Sequence, residues 1–343
     1  MSVEPISEPI DRLPGTSGSS PPSTVHQLVV HLITLVVLVA IAVGLLGAVP
    51  GLHGVARMLS HVSPAWIALA VALEVLSCLG YVLAFEQVFP GVPRWTARLV
   101  AWSEMGFQTV FPAGGAGGSA LGGWMLHEKG APWGRIAERP AVLFLLTSVI
   151  SVLAAMLFGT LLAVGVLAGP HHVVLGAIPA AAGTAVLLLA IGSSRLLRSS
   201  IVRHEWKHER LKAMLAGLAQ SVTDTQRFLL SRDWKLVGTV GYLAFDIMVL
   251  WVGFRAFGHA PGAATLVLGY LVGSMANAIP VPGGIGALDG GLVGALVLYG
   301  ANATSATAAV LIYHAIWLFV PLVIGTVAFL FERPHLHEPL PEG

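Results

Sequence analysis

The amino-acid sequence predicts an all-α polytopic membrane protein, with about six spanning helices and two re-entrant pairs of broken helices in an inverted pseudo-repeat. Three observations predict this fold. Of the 343 residues, 56% are hydrophobic and 10% are charged, with a mean hydropathy of +0.83, whereas a soluble domain carries about 25% charged residues. Several apolar runs reach the ~20 residues that a helix needs to cross the hydrocarbon core. Two further apolar stretches are interrupted near their middle by proline and glycine.

The two ends of the chain differ in composition from the rest. Residues 1–24 are rich in Pro, Ser and Gly and cannot build a core, so we expect a disordered cytoplasmic tail. This segment is acidic and polar, and no A-x-A-like cleavage site follows the first apolar run, so that run is expected to remain as a helix. Residues 333–343 form a second short tail. The transmembrane domain is therefore expected at 25–332.

Six apolar runs are long enough to span the membrane: 27–49, 64–89, 140–168, 172–192, 236–258 and 304–331. The segment 193–235 holds nine of the eighteen Lys and Arg residues. Because positive residues are retained on the cytoplasmic side, we expect a basic cytoplasmic linker there. Five apolar residues in the linker recur at helical spacing and predict an amphipathic helix on the membrane surface or against the bundle: Leu211, Met214, Leu215, Leu218 and Val222.

The two interrupted stretches, roughly 98–126 and 263–300, resemble each other. Each has an apolar residue before a proline and then a glycine pair: Phe111-Pro112 with Gly114-Gly115, and Ile279-Pro280 with Gly283-Gly284. Similar breaks in two halves are typical of inverted-repeat transporters that bind their substrate near the midplane. The alternative is chance similarity between two glycine-rich segments.

The second break, NAIPVPGGIGALDGG at 277–291, predicts an irregular loop followed by a half-helix that begins at 287–289. The prolines remove backbone donors and the glycines allow a tight reversal: Pro280, Pro282, Gly283, Gly284 and Gly286. The first amides of such a half-helix favour a phosphate or carboxylate. Asp289 has two open roles, a cap of this helix or a contact to a cationic group or a proton. Inside the half-helix, Ala at Gly290 or Gly291 is expected to be tolerated.

Two acidic residues lie near the middle of predicted spans. Glu74 is central in 64–89 and Asp246 is central in 236–258. Ionisable groups at this depth are rare and usually face a cavity or a partner. We therefore expect both to line a substrate cavity, and the alternative is a structural role, either as partners of His314 or as neutralised core acids.

Three other polar residues near the membrane segments have less central positions. Glu86 and Glu104 lie closer to the ends of their runs, where solvation or pairing with Arg94 or Arg98 is expected. Asn277 lies a few residues before the prolines of the second break and either satisfies freed backbone groups or contacts substrate.

The distribution of positive charge predicts the orientation. If both interrupted stretches are re-entrant, most Arg and Lys residues fall inside, together with the N- and C-termini. The first stretch then opens from the cytoplasm and the second from the exterior. Four Lys against fourteen Arg, with many Ala, Gly and Val residues, hints at a bacterial genome rich in G and C, and so at a bacterial cytoplasmic membrane.

The segment from Pro280 to Gly325, which begins PVPGGIGALDGG and contains IYHAIW, resembles the C-terminal signature of the lysylphosphatidylglycerol synthase transmembrane-region family. The matching positions are Pro280, Pro282, Gly283, Gly284, Gly286, Asp289, Gly300, Tyr313 and His314. The family usually has Glu at the position of Asp289 and Arg at that of His314. The earlier break, FPAGGAGGSALGG, is similar to the family's first Pro-Gly break.

The resemblance implies a flippase-like protein that moves a lipid or a lipid-linked headgroup between leaflets. Its partners would be membrane lipids, with a phosphate-bearing headgroup as substrate, and a second copy or a separate synthase could associate with it. The expected cavity residues, from the resemblance and the intramembrane acids together, are Glu74, Asp246, Asn277, Asp289, Tyr313 and His314. The net charge of +1 and the lack of nucleic-acid motifs give no reason to expect a nucleic-acid partner.

Two other classes of function are weighed against transport. Ser119 and Ser274, with His314 as base, could serve an intramembrane hydrolase, although neither serine lies in a Gly-x-Ser-Gly motif. A non-transporting or regulatory membrane partner is the other alternative. No aminoacyl-transfer domain follows residue 331, so we expect no synthase activity. The single cysteine, Cys78, excludes an intrachain disulfide and a cysteine-rich metal site, and no metal or cofactor is expected.

Overall fold

The structure, a computed structural model, describes residues 62–111, 115–136, 139–167, 169, 172–203, 209–230, 234–278 and 286–338. All regular secondary structure in these residues is helical, which confirms the all-α polytopic fold. The predicted tail at 1–24 and the predicted span at 27–49 lie outside the described residues. The same holds for six residues of the two breaks: Pro112, Gly114, Pro280, Pro282, Gly283 and Gly284.

The helices of the first half are α1 (Pro64–Val88), α2 (Arg94–Val110), α3 (Gly115–Glu128), α4 (Trp133–Ile136) and α5 (Arg139–Ala163). Those that follow are α6 (His172–Arg203), α7 (Glu209–Leu230), α8 (Leu236–Arg255), α9 (Ala263–Ser274), α10 (Ala287–Leu298) and α11 (Ala303–Glu332). Short 3₁₀ turns extend α9 over Met275–Ala278 and α11 over Arg333–His335.

Among the described residues, five helices are long and apolar enough to cross a membrane: α1, α5, α6, α8 and α11. They coincide with five of the six predicted spans. Helix α6 continues past the predicted end of its span to Arg203. Helix α7 lies within the predicted linker and packs against α5 and α6.

The two interrupted stretches form pairs of short helices. Helices α2 and α3 have 17 and 14 residues, and α9 and α10 have 12 each. At 1.5 Å per residue these lengths are about 18–26 Å, less than the ~30 Å of the hydrocarbon core. The two helices of each pair pack against each other. Each pair is therefore a re-entrant hairpin rather than a span.

The first hairpin opens at the end of the bundle where α1 finishes. Arg98, near the start of α2, pairs through Nε with Glu86 Oε1 of α1 at 2.7 Å. Lys129, just after α3, pairs through Nζ with Glu332 Oε1 at the end of α11, at 2.8 Å. Arg139, the first residue of α5, donates to Val88 O at 2.9 Å. We call this end of the molecule the Glu86 face.

The second hairpin opens at the opposite end. Thr265 Oγ1, near the start of α9, donates to Tyr299 O, just after α10, at 2.7 Å. The Tyr299 hydroxyl donates to Leu175 O, near the start of α6, at 3.1 Å. Helix α6 begins where α5 ends, because Gly159 and Gly176 pack together in this antiparallel pair. Since α5 starts at the Glu86 face, the second hairpin opens at the other end, which we call the Tyr299 face.

The two halves run in opposite directions. Along α1 and α8, Gly80 packs against Gly238, and Ser77 Oγ donates to Tyr242 O at 2.8 Å. Residue numbers therefore fall along one helix as they rise along the other, so the helices are antiparallel. Each is followed by a re-entrant hairpin and a second long helix, α5 or α11. This order, with opposite direction, is the predicted inverted pseudo-repeat.

Local sequence explains where several helices begin. The Asn302 side chain accepts from Thr304 N at 3.0 Å and from Ser305 N at 3.2 Å, which caps α11. Gly286 precedes α10 with φ +85°, a conformation that glycine adopts without penalty. Helix α10 then begins at Ala287, within the predicted range of 287–289.

Candidate functional site

A polar cavity of about 130 Å³ lies between helices α5, α8 and α9. Its lining residues are Thr147, Ser148 and Ser151 from α5, Tyr242, Leu243 and Asp246 from α8, and Tyr270 and Ser274 from α9. Two of the three helices are long spans, and the third belongs to the second hairpin. Seven of these eight residues carry a hydroxyl or a carboxyl group, so the cavity can accept and donate hydrogen bonds at membrane depth.

Asp246 supplies the carboxyl group of the cavity. The residue lies at the middle of α8 and is 3% exposed. Its Oδ2 atom accepts hydrogen bonds from the Tyr270 hydroxyl of α9 and, at 3.3 Å, from the Tyr313 hydroxyl of α11. The two tyrosine rings meet edge to face, with centroids 6.1 Å apart. Its Oδ1 atom is buried and has no hydrogen-bond partner.

Glu74 lies close to Asp246 on the antiparallel helix α1. Its side chain is also 3% exposed, and the two carboxyl groups interact electrostatically. Glu74 Oε1 accepts a weak hydrogen bond from Cys78 Sγ at 3.6 Å, while Oε2 is buried without a hydrogen-bond partner. Within the part of the chain that the structure describes, no ion pair joins either acid to a basic side chain.

Asp289 and His314 form a second cluster. His314 Nδ1 pairs with Asp289 Oδ1, and Asp289 Oδ2 accepts from Gly286 N at 2.9 Å. Asp289 therefore caps the half-helix α10, which was one of its two predicted roles, and at the same time binds α11. The His314 ring also meets Trp317 edge to face, with centroids 5.8 Å apart.

His314 pairs with Asp289, whereas the structural alternative had placed it beside the mid-membrane acids. Adjacent positions on a helix point about 100° apart. Helix α11 can thus present Tyr313 to Asp246 on α8 and His314 to Asp289 on α10. Of these predicted cavity residues, Asp246 belongs to the lining, Glu74 and Tyr313 lie next to Asp246 but outside the lining, and Asp289 pairs with His314.

Asn277, the sixth predicted cavity residue, belongs to neither cluster. It is exposed and lies in the 3₁₀ turn Met275–Ala278 that follows α9. Of the predicted break residues, Gly115 is the first residue of α3 and Gly286 precedes α10. The cavity lining contains no residue of α3 or α10.

Glu104 was predicted to be solvated or paired with an arginine, and this is wrong. It is 3% exposed, and its Oε1 accepts from the Tyr81 hydroxyl at 3.1 Å and from Ser119 Oγ at 2.9 Å. The side chain is covered because α3 folds back over α2, which the spacing of charges could not reveal. Glu86 behaves as predicted and pairs with Arg98.

Tyr81 links the Glu104 cluster with the cavity. Its ring packs against that of Tyr242, with centroids 5.7 Å apart, and Tyr242 lines the cavity. Buried polar side chains therefore extend from the first hairpin, through α1 and α8, to the second hairpin.

Sequence reasoning missed most of the hydroxyl groups around Asp246. Thr147, Ser148 and Ser151 do follow helical spacing in an otherwise apolar run, which is the one signal that could have indicated a polar face on α5. Tyr270 gives no such signal, because a single tyrosine in a membrane helix usually lies at an interface.

The geometry offers no nucleophilic triad around the two serines that were considered. Ser119 Oγ donates to Glu104, and Ser274 Oγ donates to Leu271 O at 3.0 Å. In the described ranges, no group of three or more His, Cys, Asp and Glu side chains is arranged to hold a metal ion. The arrangement is suited to binding hydrogen-bond donors or a small cation.

Comparison with known proteins gives a consistent result. The profile of the family described as "Lysylphosphatidylglycerol synthase TM region" matches residues 23–325. The chain is also similar to a UPF0104 membrane protein of Methanothermobacter thermautotrophicus, with 25% identity over 326 residues that cover 85% of this chain and 91% of that protein. The match includes both hairpins and the long helices around them. The protein is thus a multi-pass membrane protein that belongs to the lysylphosphatidylglycerol synthase TM region family.

Proposed function

We propose that the protein moves a lipid or lipid-linked headgroup between the leaflets through the cavity beside Asp246, and that it does so without catalysing a reaction. One observation carries this proposal: two re-entrant hairpins open at opposite faces of the molecule, and a polar cavity lies between the second hairpin and the long helices. Half-length helices of this kind build the substrate sites of inverted-repeat transporters. A headgroup in such a cavity would be shielded from the acyl chains.

The lining of the cavity favours headgroups with hydrogen-bond donors. Asp246 Oδ1 is buried without a partner, and Ser148, Ser151 and Ser274 line the same cavity as Asp246. A hydroxyl or ammonium group of a headgroup could donate to this oxygen, whereas a phosphate beside the carboxyl would be repelled at low dielectric.

A phosphate-bearing headgroup is the substrate that we propose, with its phosphate outside the carboxyl-lined part of the cavity. The Gly286 amide, immediately before α10, is not free to receive it, because it already donates to Asp289 Oδ2. This supports a headgroup whose donors enter the cavity while the phosphate stays at its mouth.

The distribution of charge supports an orientation with the Glu86 face in the cytoplasm. The basic residues at the helix ends of that face include Arg94, Arg98, Lys129, Arg139, Lys235 and Arg333. Arg255, at the end of α8, lies at the opposite face. By the positive-inside rule, α11 would end in the cytoplasm, and we propose the bacterial cytoplasmic membrane as the location.

The test is leaflet-specific chemistry on vesicles that contain the purified full-length protein. A membrane-impermeant amine reagent reports outer-leaflet phosphatidylethanolamine, and periodate oxidises the headgroup diol of outer-leaflet phosphatidylglycerol. We expect at least one of these lipids to react beyond its outer-leaflet share in vesicles with protein, and Asp246→Asn to reduce the excess. If both lipids react only up to their outer-leaflet share, whether or not the vesicles contain protein, transport of these headgroups is rejected.

A further inference from the structure

Two carboxyl oxygens in the centre of the molecule are buried without a hydrogen-bond partner, Glu74 Oε2 and Asp246 Oδ1. The two residues lie on the antiparallel helices α1 and α8, and their carboxyl groups interact electrostatically. Asp246 also lines the cavity. Buried carboxyl oxygens normally have partners, because an unpaired one costs free energy. Two of them on neighbouring acids indicate that a ligand belongs there.

The groups around the two acids would not compensate a negative charge. The helices packed against α8 are α1, α5, α9 and α11. These helices and α8 place polar and titratable groups around the acids and the cavity. The groups are Cys78 of α1, Thr147, Ser148 and Ser151 of α5, Tyr242 of α8, Tyr270 and Ser274 of α9, and Tyr313 of α11. All are hydroxyls or a thiol, and none is basic.

We propose that Glu74 and Asp246 together bind one monovalent cation, a proton or a sodium ion, between their two unpartnered oxygens. A positive charge there would offset the electrostatic cost of two adjacent buried acids. Carboxyl and hydroxyl oxygens are hard ligands, which suit a small hard cation. A divalent metal fits less well, because in the described ranges no group of three or more His, Cys, Asp and Glu side chains is arranged to hold one.

The cation site also explains how transport could be driven, and this step rests on the proposed function. A headgroup donor that binds Asp246 Oδ1 would use the oxygen that holds the cation. Cation and headgroup would therefore compete, so that each leaves when the other binds. Exchange of this kind would couple headgroup movement to a cation gradient. A ligand shifts the equilibrium between two states of a protein only if it binds them with different affinity, and here the bound cation lowers the affinity for the headgroup.

The experiment measures cation binding directly, on the full-length protein in lipid nanodiscs. Infrared difference spectra are recorded while sodium replaces N-methylglucamine at constant pH, and again while pH is changed without sodium. In the sodium arm, the carboxylate stretching bands shift; in the proton arm, a carboxylic-acid carbonyl band appears or disappears. We expect one arm to respond in the unaltered protein, and the response to be lost in Asp246→Asn and in Glu74→Gln.

Glu104→Gln is the matched control. Glu104 is equally buried, but its Oε1 already accepts two hydrogen bonds, from Tyr81 and Ser119, so this variant is expected to keep the cation response. If Asp246→Asn does not fold, Glu74→Gln carries the test. Glu74 accepts a weak hydrogen bond from Cys78, so replacing it is expected to disturb folding less than replacing Asp246. No response in either arm, or the same response in Glu74→Gln, would overturn the cation site.

The outcomes separate this inference from the proposed function. A cation response without lipid movement would keep the site and reject transport. Lipid movement without a cation response would keep transport and reject the site. If both occur, a sodium or pH gradient across the vesicle membrane is expected to change the final distribution of the lipid, and an unchanged distribution would reject the coupling.

Discussion

Gly80 of α1 and Gly238 of α8 lie against each other where the two antiparallel helices cross. A β-carbon on Gly238 would be 2.7 Å from Gly80 O, and one on Gly80 would be 2.7 Å from Tyr242 N. Small residues allow such close approach of membrane helices. The approach brings Glu74 and Asp246 together, so the geometry of the acid pair depends on this glycine contact.

The first prediction concerns the glycine contact. Gly238→Ala is expected to destabilise the protein by about 1–3 kcal/mol, because the backbone of α1 must move to make room. Gly241→Ala on the same helix is the control, since its β-carbon would approach only the Phe245 ring, at 3.5 Å. Thermal unfolding in detergent compares the two. Equal stability of the variants would show that the helices do not cross at Gly238.

The second prediction concerns the hydrogen bonds to Asp246. Tyr270→Phe removes one of the two hydroxyls that donate to Asp246 Oδ2. We expect a loss of about 1–3 kcal/mol in unfolding free energy, the cost of an under-satisfied buried acceptor, together with slower lipid movement. Tyr299→Phe is the control, because its hydroxyl donates to Leu175 O near the Tyr299 face. It should leave lipid movement unchanged, and equal loss in both variants would argue against a special role for Asp246.

The third prediction uses two adjacent glycines of α10. A β-carbon on Gly290 would meet nothing within 4 Å, whereas one on Gly291 would be 2.7 Å from Gly273 O of α9. Gly290→Ala is therefore expected to be neutral or to stabilise by up to about 1 kcal/mol, and Gly291→Ala to open the second hairpin. The midpoints of thermal unfolding of the two variants are compared with that of the unaltered protein. A stable Gly291→Ala variant would mean that α9 and α10 do not pack closely at Gly273 and Gly291.

The fourth prediction concerns the ion pair between Lys129 and Glu332. Both side chains are at most 6% exposed and join at 2.8 Å. Lys129→Met is expected to cost about 3–5 kcal/mol, because it leaves a buried charge without its partner. The double variant Lys129→Met/Glu332→Leu should recover much of this loss. If the double variant is as unstable as the sum of the two single variants, the side chains do not interact.

Much of the fold could be predicted from the sequence, because a membrane imposes simple rules. Length and hydropathy located the spans of α1, α5, α6, α8 and α11 to within a few residues at most ends. The proline and glycine pairs located both hairpins. The end of α6 was missed, because Arg195 and Arg198 argue for a linker by composition although the helix continues through them.

The candidate site was less predictable, because it depends on contacts between distant segments. Glu74 and Asp246 were recognised from their depth alone. Of the two tyrosine donors to Asp246, Tyr313 was expected from the family resemblance, but Tyr270 was not, since Tyr270 reaches Asp246 only after the second hairpin folds back against α8. Gly291 was expected to tolerate Ala, and this is contradicted by its contact with α9, which sequence propensity does not include.

The most direct measurement asks whether one cavity is reached from both faces of the membrane. Ser148 lines the cavity, and Cys78 is the single cysteine of the chain, so Ser148→Cys in a Cys78→Ser background gives one reporter thiol. Leu153 on the same helix is 45% exposed on the apolar surface, and Leu153→Cys is the control. A charged thiol reagent is expected to label Ser148→Cys when applied to either side of the vesicles, and to leave Leu153→Cys unlabelled. Labelling of Ser148→Cys from only one side, or from neither, would contradict a route for headgroups through this cavity.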